Sequence, residues 1–298
     1  HLDEAAALWI GGGQATGDNK AGRLLYHLTE NAAAKFGKDA GPNAESEANK
    51  NILALLGTLK GLAGGADCSS QYEQFRSNVN KLVSQMNVPL VQNLIHYLSA
   101  NRPQKLELYA LALTPQIAAC DPDAYEYFLE KLVLSAFDPA DLTDVIGRLQ
   151  ALYNCLGIAC VDVGAYDSEF GKVAQCQDSS EATLAGFALT YMTWPNVAYM
   201  DRDILRMKHL TGMHALNAAK ETYMYGFNVD DHSLQKLATD ADRSLATSEY
   251  PLFVKYFGDD NDYADTMILN AFNKLGPFSK ASDGQVSELV VRASQSMV

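Results

Sequence analysis

The chain has 298 residues, 48% of them apolar and 20% charged, enough to bury a large core in one or two domains and unlike a disordered segment. The formal charge is −13, with Lys and Arg scattered instead of gathered into a stripe, which makes nucleic acid and anionic membrane surfaces poor partner candidates and favours a cationic ligand. No run of about 18 apolar residues occurs, so no segment is predicted to span a bilayer.

Helical periodicity governs the chain from its start. His1 to Ile10 reads as a helix that begins without Met and without a charged-then-apolar leader, and the expectation is that a targeting segment has been removed from a longer protein. Gly11 to Gly17 looks like a phosphate loop but lacks the Gly-Lys-Ser/Thr ending and follows a helix, so it reads as an interhelical loop. Leu24, Leu25 and Leu28 recur at helix spacing, and Ala44 to Leu62 puts Ile52, Leu55, Leu56 and Leu59 on one side. The pattern continues from Gln71 to Ala100, where Pro89 is expected to kink or divide the helix. Further helices are predicted over 104–119, 123–136, 139–154, 202–226, 262–273 and 285–297, with Asp123 and the Asp138-Pro139 pair as helix starts. Apolar-polar alternation of strand length is nearly absent. The predicted fold is therefore all-α, a multi-helix bundle.

The stretch from Gly157 to Ser180 breaks this pattern, with glycine, aspartate, Tyr166, Phe170, Cys160 and Cys176 and no helical period. It reads as a loop stapled by a disulfide between two helical lobes, so that residues 1–298 form one unit subdivided into 1–155 and 180–298 around a loop at 156–179. A second irregular stretch, Thr190 to Tyr199, leads into a helix at Asp201. None of the five cysteines (Cys68, Cys120, Cys155, Cys160, Cys176) forms a C-x-x-C pair, which argues against a zinc knuckle. Two disulfides and one odd cysteine are expected, with Cys160–Cys176 able to close a short loop, and this points to a secreted protein.

Motifs for catalysis fail one by one. Gly258 to Asp262 lacks the central Gly and distal Glu of a calcium loop, and capping by Asp262 accounts for it. His209 and His214 lie five apart, about 140° around a helix, and cannot chelate one ion together. No G-x-S-x-G or H-E-x-x-H signature is present, and the protein reads as a non-enzyme. Two constellations fit a hard metal ion instead. His1 and Glu4, at i and i+3, place imidazole beside carboxylate. Tyr199-Met200-Asp201-Arg202-Asp203 gathers a phenol, two carboxylates and a guanidinium at a loop-to-helix junction. Ferric iron favours phenolate and carboxylate oxygen, and Arg202 beside a helix N-terminus suits an accompanying anion such as carbonate.

The segments His1-Leu2-Asp3-Glu4-Ala5-Ala6-Ala7-Leu8-Trp9-Ile10-Gly11, Gly22 to Glu30, Met200 to Ile204, Tyr223-Met224-Tyr225-Gly226-Phe227-Asn228, Ser233 to Ala238 and Tyr256 to Asp260 stand in a distinctive order. In this the chain resembles the algal low-iron-inducible periplasmic proteins (the Fea-type iron-assimilatory group), which include the phytotransferrins of diatoms. The resemblance covers about a third of the chain, at its two ends. It implies a periplasmic or cell-surface protein that captures ferric iron for high-affinity uptake, with carbonate or bicarbonate as a synergistic anion. It also implies a unit that recurs in tandem and hands iron to a membrane-anchored uptake component. Carried onto this sequence, the metal set is His1, Glu4, Tyr26, Asp201 and Asp203, to which the chemistry of the junction adds Tyr199 as donor and Arg202 for the anion. The alternative expectation is a structural or interaction protein of the algal periplasm or surface that uses its helical faces for assembly.

Overall fold

The computed structural model describes residues 1–16, 22–39, 45–64, 71–168, 171–176, 183–184, 187–188, 199–229, 233–239 and 262–297. The fold is all-α, and the chain divides into two compact units, His1–Glu181 and Ala182–Val298. Cys68, most of Thr190 to Tyr199, and Gly258 to Asn261 lie outside the described residues.

In the first unit the helices are α1 (Leu2–Ile10), α2 (Leu25–Lys35), α3 (Glu47–Ala63), α4 (Tyr72–Ser99), α5 (Pro103–Cys120), α6 (Pro122–Leu129), α7 (Leu142–Ala151) and the short α8 (Cys160–Val163). α4, 28 residues long, packs against α2, α3, α5, α7 and α8. It continues through Pro89 as one helix: Val88 and Val91 on either side are buried, and the packing around them keeps the helix undivided. Its apolar residues Val91, Leu94, Ile95 and Leu98 belong to one core with Leu106, Leu113 and Ile117 of α5 and Val145 and Leu149 of α7. A second cluster joins Trp9 of α1, Tyr26 of α2, and Ile52, Leu56 and Leu59 of α3 to Leu82 of α4.

The stretch read as an interlobe loop packs inside the first unit. Residues 160–163 form α8, and β1 (Tyr166–Ser168) pairs antiparallel with β2 (Gly171–Val173); Tyr166 and Val173 are buried in the main core. Two disulfides form, Cys120–Cys155 and the expected Cys160–Cys176. The second unit holds a hairpin of β3 (Thr183–Leu184) and β4 (Phe187–Ala188), then α9 (Met200–Gly212), α10 (Leu216–Tyr225), α11 (Leu234–Thr239), α12 (Tyr263–Phe272) and α13 (Asp283–Met297). These short hairpins are too brief to leave a strand-length alternation in the sequence.

Helix ends explain where the sequence reading slipped. α6 is capped by Asp121, whose carboxylate accepts the N–H groups of Asp123 and Ala124 at 2.9 and 3.1 Å; Asp123 sits in the first turn, not at the cap. Asp138 accepts from Ala140, as expected of a helix start, but Asp262 makes no side-chain cap bond to α12. The predicted helix over 202–226 breaks in two at His214. There φ is 60°, and the His214 and Ala215 N–H groups bond the Thr211 and Leu210 carbonyls. Asn101 (φ 45°) and Lys274 (φ 52°) close α4 and α12 by the same paired bonds, the Schellman arrangement. None of the three is glycine, which is the usual signal for such a stop.

Asn101 reverses the chain between the two longest helices of the first unit, and Asn is the side chain best suited after Gly to φ > 0. Asn101→Gly should leave the urea midpoint nearly unchanged, whereas Asn101→Val should lower stability by about 1–2 kcal/mol.

Candidate functional site

The N-terminal donors lie on two packed helices of the first unit. His1 Nδ1 and Glu4 Oε2 are 3.0 Å apart and both fully solvated, beside a surface ion pair at 2.8 Å in which Lys60 of α3 holds Asp3. The hydrogen bond from Lys60, then its charge, keep the Asp3 carboxyl below the usual carboxylate range. Tyr26 is buried, and its hydroxyl donates to Glu45 Oε1 at 2.9 Å. Glu45, absent from the sequence reading, is thus the carboxylate partner of the predicted phenol. The neighbouring Glu30 is also buried, and it accepts the Ser46 N–H, the Ser46 hydroxyl and an amide N–H of Asn49. Asn49 in turn donates to the Tyr26 carbonyl and accepts the Trp9 indole N–H. Glu30 is therefore a structural carboxylate that locks α1, α2 and α3 together.

In the second unit the junction residues separate. Tyr199 precedes α9, and the Arg202 guanidinium lies over its ring at 3.8 Å, a cation–π contact. Asp201 and Asp203 are two apart on a helix and so point about 160° from each other. Asp201 is exposed and lines a cleft of about 610 Å³ between α9 and α13. Asp203 is wholly buried and accepts the backbone N–H groups of Phe227 and Asn228 and the Asn228 amide, at 3.0, 2.9 and 2.7 Å. Burial pushes its carboxyl above the ordinary range, opposed by those three bonds and by the charge of Arg206. Asp203 thus anchors the turn that ends α10, both of its carboxylate oxygens accepting hydrogen bonds from that turn inside the protein. Gly226, at φ 69°, brings that turn against the carboxylate, where a Cβ would lie 3.3 Å from Asp203 Oδ2.

The proposed donors therefore fall into two sets, His1, Glu4 and Tyr26 in one unit and Tyr199, Asp201, Arg202 and Asp203 in the other. Among the described residues no group of three or more His, Cys, Asp or Glu converges as a metal ion requires.

A different site does assemble in the first unit. The Schellman turn at Asn101 folds the start of α5 back over the end of α4, and the last turn of α2 closes the side. Between them opens a cleft of about 770 Å³ lined by Lys35, His96, Tyr97, Arg102, Gln104 and Lys105. None of the three cationic side chains pairs with a carboxylate among the described residues. Lys105 Nζ sits 5.1 Å from the centroid of the Tyr97 ring, which stacks on Tyr109 at 5.3 Å. His96 shares a 2.6 Å hydrogen bond through Nδ1 with the buried Tyr166 hydroxyl. Loss of water, followed by the charges of Lys35 and Lys105, lowers the His96 pKa from 6.5 to about 4. Lys35 is held below the usual lysine range by loss of water around its ammonium and then by Lys105. The sequence carries one faint sign of this site: from His96 to Lys105 there is no acidic residue, in a chain with 36 of them.

The chain matches no family model, no curated protein and no solved structure.

Asp203→Ala should strip three N–H donors of their acceptor and lower the thermal stability of the second unit by roughly 2–5 kcal/mol, with Asp201→Asn near neutral in the same melts. Because folding keeps His96 neutral, the stability it contributes is complete above pH 6.5 and is lost as pH falls from 6.5 toward about 4. Urea midpoints over that window should fall less steeply for His96→Gln than for the parent protein.

Proposed function

We propose that this protein is a non-catalytic ferric-iron-binding protein of the cell exterior, serving iron uptake. The observation that supports this best is the Tyr26 hydroxyl bonded to Glu45 at 2.9 Å. Loss of one proton turns that pair into a phenolate and a carboxylate side by side, the donor chemistry hard ferric iron selects. Tyr26 stands in one of the segments that carry the resemblance to the low-iron-inducible proteins, and α1, which His1 precedes and which carries Glu4, packs on the same helix. The two disulfides suit an oxidising compartment, and no described helix is long and apolar enough to cross a membrane. In this reading carbonate or bicarbonate accompanies the metal. Arg202, stacked on Tyr199, is its partner if the second unit contributes, and a further copy of the unit or a membrane-anchored component receives the iron.

The second reading, an assembly protein of the periplasm or cell surface, is favoured by one specific observation. The junction carboxylates diverge, and Asp203 is wholly committed to the turn after α10.

Ferric titration of the whole chain, with and without bicarbonate and followed by visible absorbance, separates the two. A tyrosinate-to-iron band that disappears in Tyr26→Phe, weakens about tenfold in affinity in Glu45→Gln and fades on mild acidification supports the iron reading, since protons compete for phenolate and carbonate. A band abolished by Tyr199→Phe and kept in Tyr26→Phe moves the metal to the second unit. Absence of any band leaves the assembly reading.

A further inference from the structure

We propose that the cleft between the ends of α2 and α4 and the start of α5 binds a small organic polycarboxylate, held by Lys35, Arg102 and Lys105 with Tyr97 as its wall. The inference does not rest on the ferric-iron reading. It rests on an electrostatic anomaly: in a protein of net charge −13, three cations, from α2 and from the start of α5, line one cleft with no carboxylate paired to them among the described residues. Lys38, Lys60, Lys131, Arg148, Lys274 and Arg292 each have a carboxylate within 3.1 Å. Lys50, Lys208 and Lys280 have none among the described residues but stand apart from one another, whereas Lys35, Arg102 and Lys105 line one cleft. Like charges brought together without a counter-ion are unfavourable unless an anion completes the set.

The geometry also narrows the class of anion. Compact phosphate is typically cradled by converging backbone N–H groups, and here those are scarce. Pro103, the first residue of α5, has no N–H, while the N–H groups of Lys105 and Leu106 already bond the Arg102 carbonyl. Recognition must come from side chains, on separate elements, around a volume that falls in the range of organic-ligand pockets. That arrangement suits two or three carboxylates spread over a carbon frame, with the guanidinium of Arg102 offering a planar fork to one of them. Tyr97, supported by its stack on Tyr109, gives the frame an apolar surface. His96, neutral and fixed through Tyr166, borders the same space and reports on it. The charged groups facing it are Lys35 from α2 and Lys105 from α5, and an arriving anion would offset both.

Isothermal titration calorimetry of the whole chain with citrate, malate, inorganic phosphate and bicarbonate is the test, with the His96 ring protons followed by NMR. Citrate should bind saturably, more tightly than phosphate or bicarbonate, and should shift the His96 resonances. Lys35→Gln/Arg102→Gln/Lys105→Gln should weaken citrate by tenfold or more, about 1.4 kcal/mol at least. Lys50→Gln/Lys208→Gln/Lys280→Gln, which removes the same charge elsewhere on the surface, should leave affinity within about twofold. All six residues lie at the surface, with the Lys35 ammonium partly shielded from water, and the variants should melt close to the parent. The proposal is overturned if citrate gives no heat above dilution, if phosphate binds as tightly as citrate, or if the two triple variants weaken binding equally.

Discussion

The first unit depends on one constraint: α4 is long, buried along much of its length, and yet carries polar residues into the interior. Asn87 donates to the Leu156 carbonyl at 3.2 Å and Gln92 to the Val163 carbonyl at 2.9 Å, both wholly inside the protein. A buried carbonyl without a donor costs about 1–3 kcal/mol, so these two amides make it possible for the irregular stretch after α7 to enter the core at all. Once that stretch is held there, Tyr166 reaches His96, Phe36 meets Tyr166 with ring centroids 5.0 Å apart, and the end of α2 is fixed beside the end of α4. The cationic cleft is the outer rim of that arrangement. The same logic recurs on a smaller scale around Glu30 and around Asp203, each a buried carboxylate tying elements distant in sequence.

The helical architecture was largely legible because amphipathic periodicity is a local property. Ile52, Leu56 and Leu59 are on the buried side of α3 where their spacing puts them. The errors concern what periodicity does not encode. Pro89 is absorbed by packing, and the split at His214 uses a residue with no helix-stop signature. The stretch from Gly157 onward carries no long period because it is built of one short helix and one short hairpin, tied to α4 by contacts such as Gln92 to the Val163 carbonyl, 71 positions apart in the chain. The Cys160–Cys176 link was readable from short spacing, whereas Cys120–Cys155 joins the end of α5 to the turn after α7 and follows only from their packing.

The candidate sites were far less legible. Tyr26 was named, but its partner Glu45 lies 19 residues on, past the end of α2, and no local pattern links them. Asp201 and Asp203 look alike in sequence; the helical turn alone sends one to solvent and the other into the core. The cleft at His96 is assembled from three helix ends, and its defining property is the convergence of Lys35, Arg102 and Lys105, which no motif records.

The two disulfides meet in sequence, with Cys155 and Cys160 only five positions apart, 160 minus 155. A pull along the chain from Cys120 to Cys176 would otherwise stretch 56 positions, 176 minus 120. The covalent route through both sulfur bridges instead crosses one bridge, five positions and the second bridge. Tension therefore bypasses α6, α7 and the β1–β2 hairpin, which stay slack while force flows past them. Under mechanical load these segments are shielded by the chain's own wiring.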